Sequence, residues 1–143
     1  MSKGNTYETD LLALLFNATA IANVADNAAV SPLTNLAVAL HTADPGETGT
    51  QATSETAYTG YARVSVARTT GGWTVTGNSV SPVANIDFGE CTAAPGTAIT
   101  FFSIGPTGGG ATKIFYSGTV TPNITMAVGV IPRIKTTSTV TED

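Results

Sequence analysis

A chain of 143 residues fits the length of one domain, about 100–200 residues, and can bury a core without disulfides or metals. Only 11% of its residues are charged and 42% are hydrophobic, which argues against intrinsic disorder. A net charge of −4 with six Lys and Arg supplies no basic footprint for nucleic acid and no polybasic patch for a membrane surface, and no apolar run is long enough to span a bilayer.

Asn5 with Glu8 three residues later is a variant of a helix-capping box, so a helix is expected over residues 5–22. Leu11, Leu14, Leu15, Ala18 and Ala22 form its main stripe, with Leu12 and Phe16 on the flank. That arc is wider than one buried face needs. Either the helix sinks deeply into its own domain or it packs on its own sheet and on another subunit. The alanine-rich run Asn23–Pro32 follows, and Pro32 stops any helix there.

From Leu33 the texture becomes β-like: threonine is nearly a fifth of the chain, and glycine and proline punctuate short runs. Leu36–Thr42 reads as a buried strand, closed by the turn Asp44-Pro45-Gly46. Glu47–Thr59 is polar and without period, so a long surface loop is expected. Tyr61–Arg68 alternates, Gly71-Gly72 leads into Trp73–Thr76, and Gly77-Asn78 turns the chain again. Ala84–Phe88 points Ile86 and Phe88 inward. Thr97–Ile104 is apolar on both faces, as a central strand is, and Lys113–Val120 is its expected hairpin partner across the glycine-rich turn Gly105–Gly110. Thr125–Lys135 and Thr136–Thr141 supply the last strands, with Pro132 at an edge or bulge. The expected fold is mainly β, an antiparallel β-sandwich or jelly-roll-like domain over 1–143, with one N-terminal α-helix (5–22) leading into the sandwich (33–143).

Reactive groups are scarce. His41 is the only histidine and ends a strand, where a hydrogen bond to backbone or exposure to solvent is expected. Cys91 is the only cysteine; it has no basic neighbour and reads as an inert thiol that excludes an internal disulfide. The glycine-rich turn lacks the Gly-Lys-Ser/Thr ending of a phosphate loop. Catalytic residues, metal ligands and cofactors are therefore not expected. A carboxylate cluster of Glu55, Asp87 and Glu90 with Arg63 would be needed for a hydrolase or lyase, and Tyr58, Tyr61 and Trp73 for a sugar platform. Glu8 and Asp10 occupy the place of a signal peptide's basic region, so the chain is expected to stay in the cytosol until lysis.

The segment Leu36–Gly46 with its TADPG turn, followed by Tyr58-Thr59-Gly60-Tyr61-Ala62-Arg63-Val64, resembles a family of small tailed-phage virion proteins. Gly72–Val75, Ile86–Phe88, Phe101–Gly105 and Tyr116–Gly118 fall where such proteins carry similar motifs, and the resemblance covers roughly Leu11 to Val130. Members are often labelled tail-fibre proteins, and some are similar to capsid cement proteins. The resemblance implies a structural virion component made in the bacterial host cytoplasm, with no catalytic residues. Capsid decoration is the leading expectation: a protein on the outer capsid surface clamping neighbouring copies of the major capsid protein, and self-associating as a dimer or trimer. A tail-fibre or tail-associated receptor-binding protein is the alternative. For the clamp, Leu11, Leu12, Leu15 and Phe16 are the expected subunit contacts, and Arg63, Arg68 and Arg133 the charged anchors. These arginines could equally solvate strand ends.

Overall fold

The structure is a computed structural model that describes residues 5–21, 33–107 and 113–142. The alanine-rich run up to Pro32 and the tip of the glycine turn, Gly108–Gly110, lie outside the described residues. The fold is mainly β, with open antiparallel sheets and one helix, as expected. In chain order the elements are α1 (Asn5–Asn17), β1 (Asn35–His41), β2 (Val64–Ala67), β3 (Trp73–Thr76), β4 (Ser79–Pro82), β5 (Ile86–Asp87), β6 (Ile99–Pro106), β7 (Tyr116–Ile124), β8 (Arg133–Ile134) and β9 (Val140–Thr141). The chain forms two compact units: Met1–Leu36, Val66–Ile86 and Ile134–Asp143 make the first, and Ala37–Ser65 and Asp87–Arg133 the second. The division falls inside β1, β2, β5 and β8.

In the first unit α1 packs on the three-stranded sheet β3-β4-β9. The buried helix residues are Glu8, Leu12 and Phe16, spaced by four, so they share one face. This corrects the expected stripe: the supposed flank is the inward face, and Leu11, Leu14 and Leu15 are only half-buried. Phe16 meets Trp73 edge-on, ring centroids 4.9 Å apart. The helix also ends at Asn17 rather than running to residue 22. Ala18 turns left-handed (φ 55°), and the Thr19 amide donates back to the Ala13 carbonyl at 3.1 Å. The hairpin β3–β4 pairs Trp73 with Pro82 and Thr76 with Ser79 across Gly77-Asn78, where Gly77 takes the positive φ (58°) of the tight turn. Strand β4 was not expected: Ser79-Val80-Ser81-Pro82 has one β-branched residue, and its pairing with β3 and β9 places it.

The second unit is built on the four-stranded sheet β2-β1-β6-β7. Central β1 is buried on both faces, with Val38, Ala39, Leu40 and His41 at 0–1% exposure. β6 is also central and pairs antiparallel with β7, as its two-faced apolar pattern predicts, with a register shift between Ile99 and Phe101. In β5 the expected alternation holds: Ile86 and Phe88 are buried, Asp87 exposed. The long strand expected over Thr125–Lys135 shrinks to β8. Upstream of it the chain makes a turn instead, the Val130 amide donating to Ala127 O (3.1 Å) with Gly129 at φ 89°. Likewise only Val140–Thr141 of the last expected strand is paired.

Candidate functional site: a buried polar network behind Arg63

The stretch Glu47–Thr59, expected as a long surface loop, is fastened to β1. The Thr42 amide donates to Ser54 O (2.8 Å), and the Thr56 amide donates to Leu40 O (2.9 Å). Within it Gln51, Thr56 and Tyr58 are buried. Polar groups taken from water need partners, and these find them in one continuous set.

The outer end of that set is an ion pair. Arg63 donates Nε and Nη2 to the two carboxylate oxygens of Glu55, both at 2.7 Å. The Tyr61 hydroxyl donates to Glu55 Oε1 (2.8 Å) and accepts from the Leu40 amide (3.1 Å). Burial pushes the Glu55 carboxyl up, but the hydrogen bonds from Arg63 and Tyr61 outweigh it and hold the carboxyl below its ordinary value. Burial and the adjacent Glu55 carboxylate raise the Tyr61 phenol well above its usual range.

The inner end is directional. Arg63 Nη1 donates to Gln51 Oε1 (3.4 Å), and Gln51 Nε2 donates to Ala37 O (3.0 Å) and Ser103 Oγ (3.4 Å). His41 Nδ1 lies 2.9 Å from Thr53 O, and its Nε2 lies 2.8 Å from Ser103 Oγ. A carbonyl only accepts, so Nδ1 carries the proton, and in the neutral ring Nε2 accepts from Ser103. Every donor then points one way, from Arg63 through Gln51, Ser103 and His41 to the Thr53 carbonyl. Burial lowers the His41 pKa despite the opposing Thr53 hydrogen bond and Glu55 charge, which keeps the ring neutral.

A serine 2.8 Å from a histidine has the spacing of a nucleophile and its base. Both residues here are 0% exposed, so neither side chain is open to solvent. What the arrangement does is structural: it ties Gln51 and Thr53 to β1 and β6. Gly105 makes room for it. A Cβ there would stand 2.8 Å from Gln51 Cδ and 2.4 Å from Lys113 O. A second close approach lies nearby in sequence, where Gly60 (φ 104°) crosses Gly89. A Cβ on Gly60 would meet Glu90 O at 2.1 Å, and one on Gly89 would meet Gly60 O at 2.0 Å. Tyr58 seals the crossing by donating to Gly89 O (2.8 Å), and burial pushes its hydroxyl up to about 12.

The other residues singled out in the sequence fall as follows. Leu12 and Phe16 are wholly buried in the first unit, leaving Leu11 and Leu15 as the partly open helix positions. Arg68 is 8% exposed and works as a helix cap: its guanidinium donates to Leu15 O (2.6 Å), Leu14 O and Leu33 O (3.1 Å). It supplies the positive charge that the last turn of α1 lacks. Arg63 is committed to Glu55. Arg133 pairs on the surface with Asp87, which separates Asp87 from the carboxylate cluster considered above. The aromatic platform is overturned, because Tyr58 and Trp73 are core residues at 3% and 2% exposure. His41 takes the expected backbone hydrogen bond, and Cys91 is buried. Gln51 and Ser103 were missed; the one available signal was a serine interrupting the apolar run of β6.

A family model described as podophage GP4 fiber I protein gp80 matches residues 5–142. The chain belongs to that family. The gp80-family match covers the TADPG and YTGYAR segments and extends beyond the stretch over which the motifs showed a resemblance. It makes the protein a phage structural protein. No curated protein matches the chain. Two of the segments that carried the resemblance contribute to the network: His41 closes β1, and Tyr61 and Arg63 hold Glu55. No group of three or more His, Cys, Asp or Glu side chains that could hold a metal ion occurs among the described residues. No helix among them is long and apolar enough to cross a membrane.

Proposed function

We propose that this gp80-family chain is a non-catalytic structural subunit of a podophage fibre, carried in the virion and self-associating. The observation that carries the reading is the family description itself, which names a fiber protein over nearly the whole chain. The architecture supports a load-bearing part rather than a reactive one: the sole histidine is sealed, and each arginine among the second unit's residues is paired within its own chain. Anchorage of the Glu47–Thr59 stretch gives a surface fixed before assembly, which lowers the ordering cost of association. Capsid decoration, with the major capsid protein as partner, is the competing assignment. Immunogold labelling of particles with antibody to this chain tests the choice: label at the tail is expected, and label spread over the head replaces the fibre with the capsid clamp.

A further inference from the structure

The sheet of the second unit has two ends, and they differ. β2 is four residues long, with Arg63 immediately before it. β7 is nine residues long, and no charged residue occurs from Ile114 to Pro132. Among the described residues β6 is its only strand neighbour, so the other side of β7 is a sheet edge. Folded proteins usually shield such an edge with charge, brevity or a covering element. Pro122 blunts one end of β7, and Asp44 and Glu47 share a cavity with Ser117 at the other, but Gly118–Thr121 carries neither charge nor proline.

The order of residues there is also self-complementary. In an antiparallel two-fold pairing centred on Thr119, Thr119 faces its own copy, Gly118 faces Val120, and Ser117 faces Thr121. Ser117, Thr119 and Thr121 are the exposed positions, so hydroxyl side chains meet hydroxyl side chains, a favourable cross-strand combination. Gly118 and Val120 are half-buried and place a small residue against a branched one. No like charges meet, although the whole chain carries −4.

From this we infer that the outer edge of β7 is a homotypic interface: Ser117–Thr121 of two copies pair antiparallel and join their sheets into one of eight strands. The pairing deepens the reading of the chain as a self-associating structural subunit by naming the surface that joins two copies. It is isologous and therefore gives a closed dimer.

The test is sedimentation velocity on the full chain and on three variants, with circular dichroism checking the fold of each. Wild type is expected at twice the 14.5 kDa chain mass. Thr119→Lys and Thr119→Glu each set like charges face to face, and each alone weakens the dimer roughly tenfold or more. An equimolar mixture of the two restores it, because lysine then faces glutamate. Val128→Lys, on an exposed turn outside the strand, leaves the dimer unchanged. A monomeric or trimeric wild type, a Thr119→Lys dimer as tight as wild type, or no recovery on mixing overturns the proposal. These results are read in solution without particles, so a failure here leaves the fibre assignment to be judged by its own labelling.

Discussion

Removing the Arg68 guanidinium tests how the first unit keeps its helix. Arg68 comes from the segment after β2, yet it satisfies the carbonyls of Leu14 and Leu15 at the end of α1, and that of Leu33. The helix supplies no basic residue of its own there. Hydrogen bonds from a charged donor contribute about 1.5–3 kcal/mol each. Three of them sum to about 7 kcal/mol at mid-range, and roughly half is offset because the variant no longer buries a cation. Arg68→Ala is therefore expected to lose about 3 kcal/mol, a drop of roughly 10 °C in melting temperature for a chain of this size. Trp73 is the sole tryptophan and touches Phe16, so its fluorescence in a urea titration reports this unit directly. Arg68→Lys, which brings one point charge instead of a fork, should recover less than half of the loss. An Arg68→Ala protein within 0.5 kcal/mol of wild type, with α1 intact by circular dichroism, would refute the capping argument.

Other substitutions separate core from surface. Phe16→Ala should cost about 3–5 kcal/mol by urea denaturation, whereas Leu11→Ala, half-buried on the same helix, should cost less than half of that. Gly60→Ala and Gly89→Ala force a Cβ to about 2 Å from a backbone carbonyl, so each should destabilise by more than Gly46→Ala, where a Cβ meets nothing within 4 Å; thermal melts of the three decide it. Arg133→Ala should leave the melting temperature unchanged, because its pair with Asp87 is open to solvent. Acid should act in two steps. The folded His41 pKa lies below 6.5, so the unfolded chain binds more protons there, and stability falls as pH drops from 6.5 through the folded value. The Glu55 contribution is present above 4.5 and disappears at lower pH, as its depressed folded value is crossed. With one histidine in the chain, His41→Gln should flatten the upper step in urea titrations across that range.

Much of the β framework was legible because the residues that make it are locally consistent. β1 is a continuous apolar run, β6 and β7 flank a glycine-rich segment of sequence, and Ile86-Asp87-Phe88 alternates. What escaped was set by tertiary partners. α1 is leucine-rich nearly all round, so its periodicity did not single out the face carrying Glu8, Leu12 and Phe16. β4 owes its place to pairing on both sides rather than to propensity. The network was half visible. His41, Tyr61 and Arg63 stood in recognisable motifs, but nothing local marks Gln51 as buried, and its position follows from Gly105 leaving space for the amide. Of the three arginines named as anchors, Arg63 and Arg68 turn inward, onto Glu55 and onto the carbonyls at the helix end, and Arg133 stays on the surface beside Asp87.

The most direct test of the central claim is a cryo-EM reconstruction of intact particles, with this chain placed by its own fold and its copies counted. The fibre reading predicts a small number of copies, confined to the tail. A lattice of hundreds of copies over the outer face of the head would contradict it.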